Sequence, residues 1–131
     1  MSSSLRILAW YVLAFLLGCS SPKVVSAPPI QEVSPYAAIG FASKQKLQEH
    51  FVKHGREFSS PSAEAYLAKA QELRDRELKP PLLEAVRPSD RVITRFDPAS
   101  GAFLAFDKNR TIRTFFKPDN GERYYQRQLK R

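Results

Sequence analysis

An unbroken apolar run from Ile7 to Leu17, with Arg6 the one charge ahead of it, decides how much of this chain is free to fold. Its eleven residues rise only about 16 Å as a helix, well short of the roughly 30 Å hydrocarbon core of a bilayer. The run has no polar face, so it does not read as one side of a packed helix. Its length and flanks are those of the apolar region of a signal peptide. Residues 22–35, PKVVSAPPIQEVSP, then carry four prolines without a consistent period, the composition of an extended tether. The folded part is expected to begin near Tyr36, which leaves under about 100 residues for one modest core. A chain of 131 residues excludes a multidomain enzyme, an eight-fold strand–helix barrel and a two-half dinucleotide fold. No internal repeat is visible.

The exit of the apolar run is more specific. Leu16-Leu17-Gly18-Cys19 resembles the lipobox of bacterial lipoproteins. That resemblance implies a signal peptide over 1–18, a lipidated thiol on Cys19 and a tether over 19–35. With Ser20 after the cysteine it implies sorting to the outer membrane, facing the periplasm. Several acyl chains anchor a protein stably, because each buried methylene contributes about 0.8 kcal/mol. A free-thiol role for Cys19 is the alternative. As the one cysteine of the chain, it excludes a disulfide scaffold and a cysteine-based zinc cage.

Two helices are expected first. Ser43 is a cap for 43–58, where Leu47, His50, Phe51 and His54 follow helical spacing and Gly55 offers a stop. In the second, Ser60 caps, Pro61 occupies the first turn, and Ala63, Tyr66, Leu67, Ala70 and Leu73 form an apolar stripe. Glu72–Arg76 and Asp75–Lys79 read as a solvated face, Pro80-Pro81 ends the helix, and the stretch to Asp90 reads as a loop. From residue 91 the period changes. RVITRF, AFLAFD, RTIRTFF and ERYYQRQLKR are separated by DPASG, KN and KPDNG turns, which predicts a meander of three or four antiparallel strands. In the third of them Ile112, Thr114 and Phe116 are expected on one face, with Arg113, Phe115 and Lys117 on the other. The class is α+β, two N-terminal helices packed on a small antiparallel meander.

Charge is divided unevenly along the chain. Without residues 1–18 there remain 20 basic and 13 acidic groups, net +7. Residues 19–90 are nearly balanced, with ten basic and nine acidic groups, whereas residues 91–131 hold ten against four. Arg91, Arg95, Arg110, Arg113, Lys117, Arg123 and Arg127 give the second half a footprint suited to a polyanion. Tyr124 and Tyr125 offer aromatic faces on which bases stack. An anionic lipid surface, or solubility alone, accounts for the same charge.

His50 and His54 share one face of the first helix. A metal pair is one reading, although HFVKH lacks the glutamate that a metalloprotease sets directly after its first histidine. A core or capping role is the second. The third is general acid–base chemistry on RNA, in which one group removes the 2′-hydroxyl proton, another protonates the leaving oxygen, and cations hold the phosphate. Lys53, Arg113 and Lys117 supply charge for that chemistry, and Thr114 and Tyr124 supply hydroxyls.

The segment from His50 to Phe58, HFVKHGREF, followed by Tyr66-Leu67-Ala68-Lys69-Ala70, resembles the opening of small toxin domains found at the C-termini of contact-dependent growth-inhibition and other polymorphic toxins. Arg95-Phe96-Asp97-Pro98, Gly101-Ala102-Phe103, the run from Ile112 to Pro118 and Tyr124-Tyr125 with Gln128 follow in the same order, so the resemblance spans roughly residues 45–128. It implies the barnase–EndoU–colicin–RelE ribonuclease superfamily, with metal-independent cleavage of RNA, tRNA among it, and no cofactor. Carried over by position, it implies Lys53 and His54 with His50, then Arg113, Thr114, Lys117 and Tyr124 as the catalytic set. Arg91, Arg95, Arg110, Tyr125 and Gln128 are the expected substrate-binding set. A glycine usual before the IRT strand is replaced by Asn109-Arg110, and Asn109 is expected to take the left-handed turn position.

The expected function is a ribonuclease-like domain on a lipid anchor. The alternative is a non-catalytic envelope lipoprotein whose basic module binds nucleic acid, an anionic surface or a protein. The expected partners are RNA, an immunity protein and, through the N-terminal lipid, the membrane, with the chain acting as a monomer. An immunity protein that masks a basic toxin tends to be acidic, which argues against that role for this chain itself.

Overall fold

A computed structural model describes residues 32–131 together with Gly18. The expected signal peptide, Cys19 and the expected tether up to residue 31 lie outside the described residues. The fold is α+β: helix α1 (Lys44–His54), a 3-10 turn (Gly55–Phe58), helix α2 (Ala63–Asp75), strands β1 (Leu83–Val86), β2 (Ile93–Asp97), β3 (Ala102–Phe106) and β4 (Ile112–Phe116), and helix α3 (Glu122–Gln128). The strands pair antiparallel in chain order, which leaves β1 and β4 at the edges of the sheet.

Each face of the sheet has its own core. Leu104, Phe106, Ile112 and Phe115 meet Tyr66, Ala70 and Leu73 of α2, with Leu47 and Phe51 of α1 packed beside them. Val92, Phe96, Phe103 and Ala105 point the other way, to Tyr125, Tyr124 and Leu129. A sheet with two apolar faces needs a layer on each. That requirement explains why the tail, expected as a strand, is helix α3. Tyr124, Tyr125 and Gln128 stand at i, i+1 and i+4, so a helix turns all three inward where a strand would split them.

The other differences are also local chemistry overruled by tertiary contacts. The expected loop before Asp90 contains β1, a four-residue edge strand whose Glu84 receives Arg95 Nε at 2.5 Å from β2. Helix α2 is capped by Ser62, not Ser60: Ser62 Oγ accepts from the Ala65 N–H at 3.1 Å. Ser60 is still closing the 3-10 turn, its N–H donating to the Gly55 carbonyl. The helix stops at Asp75, well ahead of the proline pair, because Arg76 goes extended (ψ 137) and its guanidinium bridges Glu72 and Asp97. Asp75 pairs with Arg74 rather than Lys79. Gly55 does not act through a left-handed turn; a Cβ there would lie 2.5 Å from the Phe51 ring.

Strand β4 contains a bulge. Ala105 pairs with Thr114 but Phe106 pairs with Ile112, so Arg113 is an extra residue. The strict alternation expected for this strand therefore fails. Ile112 and Phe115 share the α2 face, and Phe116 lies on the α3 face. In the preceding turn the left-handed residue is Arg110 (φ 74), not Asn109. Asn109 Oδ1 instead accepts from the Thr111 N–H at 3.1 Å.

Candidate active site at the edge of strand β4

Helix α1 starts where Ser43 Oγ accepts from the Lys46 N–H at 3.1 Å, and it ends with both histidines turned toward the β4 edge. Residues 40–41 run alongside that edge: the Ile112 N–H donates to the Gly40 carbonyl, and Phe41 bridges Ile112 in parallel. Phe41 stacks on His50 with ring centroids 4.9 Å apart, and His50 lies 6.2 Å from His54. His50 Nδ1 is buried without a hydrogen-bond partner among the described residues. Desolvation, aided by the positive fields of His54, Lys46 and Lys53, pushes the His50 pKa below its ordinary value. The ring shares an open groove of about 430 Å³ with Lys46, Asp107, Thr111 and Arg113.

His54 is the last residue of α1, and the 3-10 turn that follows swings Glu57 back onto it. Its Nδ1–H donates to Glu57 Oε1 at 2.8 Å. The other carboxylate oxygen accepts from the Lys117 N–H, just past β4, at 2.6 Å. One glutamate thus fixes the imidazole, selects the tautomer with a free Nε2, and ties helix to strand. The ring is 13% exposed and lies 5.3 Å from Phe116, which meets Tyr124 edge-on at 5.2 Å.

Of the expected catalytic residues, His50, His54 and Arg113 come together at this edge. Arg113 reaches the groove but is engaged, its Nε donating to Asp107 at 2.8 Å with Asp90 at 3.6 Å. Asp90 is mainly the partner of Arg87, whose guanidinium holds that carboxyl down to about 2. The Lys117 ammonium sits 5.3 Å over the Phe58 ring. Thr114 is half-buried in β4, and Lys53 is exposed on α1.

The expected substrate-binding residues do not gather there. Arg95, 6% exposed, donates to Glu84 and to the carbonyls of Leu73 and Arg76 beneath α2. Tyr125 is buried against Phe96, and Gln128 is buried and accepts from Arg87. Arg110 lies over the Tyr36 ring at 4.6 Å. Arg91 stands in the β1–β2 turn with φ 60.

Two residues that matter here are absent from the sequence reading. Glu57 has the i,i+3 spacing to His54 that could have flagged it. Arg74 is fully buried in α2; it stands four residues after Ala70 and seven after Leu67, and a cation on that apolar stripe is the signal that could have flagged it. Among the described residues no three His, Cys, Asp or Glu side chains come together to hold a metal ion. No helix of the described residues is long and apolar enough to cross a membrane.

No family model matches the chain, and no curated protein matches it.

Proposed function

We propose that residues 32–131 form a metal-independent ribonuclease-like domain that cleaves RNA by attack of the substrate's own 2′-hydroxyl. The observation that carries the reading is the pair of imidazoles at the β4 edge, one held by Glu57 and the other desolvated. The 2′-oxygen attacks phosphorus, the bond to the 5′-oxygen breaks, and a cyclic phosphate forms. His50, kept neutral by burial and by neighbouring cations, takes the 2′-hydroxyl proton. His54, oriented through its Nδ1–H by Glu57 and carrying a second proton on Nε2, gives that proton to the leaving 5′-oxygen. Lys53, whose field already reaches His50, and Lys117 supply positive charge for the phosphate on this reading, and the sequence resemblance points to the same residues. On this reading the domain is tethered through a lipid on Cys19 to the outer membrane, facing the periplasm.

A second reading, a binding module without catalysis, draws support from Arg113, whose guanidinium already has carboxylate partners. The two separate in one experiment. The full chain in detergent is incubated with total RNA and tRNA in excess EDTA, beside His54→Ala. Cleavage that persists in EDTA and falls by about 10²–10⁴-fold in the variant, the usual worth of general acid–base catalysis, supports the nuclease. Intact RNA with a folded, RNA-binding protein overturns it in favour of the module.

A further inference from the structure

The site does not end at His54. Rings continue from it in short steps: Phe116 at 5.3 Å, then Tyr124 5.2 Å beyond, then the Arg127 guanidinium 5.6 Å from the Tyr124 ring. Phe103, edge-on at 4.9 Å, and Phe116 fix the Tyr124 ring from two sides. Tyr124 then opens a groove of about 410 Å³ whose other walls are Arg127, Gln128, Lys130 and Arg131. Those walls are anchored, because Gln128 Oε1 accepts from Arg87 at 3.0 Å and the Arg131 carbonyl accepts from the Ser89 N–H at 2.9 Å. Charge here differs from that of the arginines tied into the fold. Arg74, Arg76, Arg87, Arg95 and Arg113 all have carboxylate partners, whereas Arg127, Lys130 and Arg131 form no ion pair with any described residue.

We infer that this groove is a nucleotide subsite for single-stranded RNA, taking the residue that flanks the phosphate held at His54; the inference rests on the nuclease reading above. A base stacks on the Tyr124 ring, and the neighbouring phosphate meets Arg127 and Lys130. An aromatic floor continuous with the histidines favours a nucleotide over a lipid headgroup, which would need only the charge. Tyr124 then acts through its ring, not its hydroxyl. Duplex RNA, whose bases are already stacked on one another, has no face to offer it.

The test is fluorescence anisotropy of a labelled single-stranded oligoribonucleotide, with the full chain carrying His54→Ala in neutral detergent so that nothing is cut. Adding Arg127→Gln and Lys130→Gln together is expected to weaken binding about tenfold and to flatten the slope of log K against log salt by about 0.7, the loss of one single-strand phosphate contact. Tyr124→Leu is expected to weaken it about tenfold and Tyr124→Phe by less than about twofold. The same oligonucleotide in a duplex should bind the parent more weakly and ignore the Tyr124 substitutions. Unchanged affinity in the double variant overturns the proposal, and that variant alters only exposed side chains, so folding does not cloud it. Tyr124→Phe as weak as Tyr124→Leu overturns the stacking role. A double variant that binds RNA normally but loses its response to phosphatidylglycerol in the micelle overturns it in favour of a lipid surface. With His54 restored, a chain that never cuts RNA while the groove variants still weaken binding defeats the nuclease reading alone and leaves the groove supported.

Discussion

Beneath α2, Arg74 donates to the carbonyls of Tyr36, Ile39 and Arg110 and to Asp75, and Arg95 to Glu84 and to two further carbonyls. Beside α3, Arg127 and Lys130 are exposed and form no ion pair among the described residues. The residues are chemically alike, and what separates them is the desolvation each has undergone. A guanidinium taken out of water has to be matched at every N–H, and once matched it has nothing left to offer a ligand. The exposed cations hold little together and are free to bind. A count of positive charges along a sequence cannot see this division, which is why Arg95 drops out of the footprint of seven basic residues in the structure and Arg113 stands in it already paired.

The sharpest way to break the comparison is Arg74→Met. It removes the guanidinium from Asp75 and from three backbone carbonyls, of which the Arg110 carbonyl has no other donor among the described residues, so the urea midpoint should report a loss of about 3–5 kcal/mol. RNA affinity, measured where the variant is still folded, should be unchanged. A small loss would mean that water reaches the site and that the two classes of arginine are not distinct. Arg113→Gln lies between the classes, since its guanidinium is about half exposed and paired. It should cost less than about 1 kcal/mol of stability and lower the salt slope of RNA binding by about one phosphate contact. A larger stability loss with an unchanged slope would move Arg113 into the structural class.

The smallest effect belongs to His50. Its folded pKa lies below its ordinary value of 6.5, so on acidification the unfolded chain takes up a proton first. Stability should therefore fall as pH drops through the window just beneath 6.5 and be unaffected by this group above it. In His50→Phe, which keeps a ring against Phe41, the fall between about pH 7 and 5 should be shallower than in the parent. An identical fall in both would show that His50 is as hydrated as in the unfolded chain.

Sequence carried a good part of this. Helix α2 was legible because Tyr66, Ala70 and Leu73 repeat on one face, and strands β2, β3 and β4 because Gly101 and the Asp107–Thr111 turn punctuate runs of β-branched and aromatic residues. Helix α3 was not: Tyr124-Tyr125 has strand propensity, and only the uncovered second face of the sheet converts it. Strand β1 is four residues at an edge, too short for its period to register. The bulge at Arg113 arises from pairing and leaves no trace in composition. At the site, the i,i+4 spacing set His50 and His54 on one face, but the bond from His54 to Glu57 depends on the helix tightening at Gly55. That tightening in turn depends on the Phe51 ring lying where a Cβ would be.

The stitching of residues 34–41 has a mechanical consequence. Ser34 donates to Asp75, Arg74 grips the Tyr36 and Ile39 carbonyls, and Gln71 the Ala37 and Ile39 carbonyls. A pull applied through the chain ahead of Ser34 therefore meets several bonds anchored on α2 before it reaches Phe41 and the strand beyond. Those bonds stand between the leading end of the domain and the edge that carries His50 and His54.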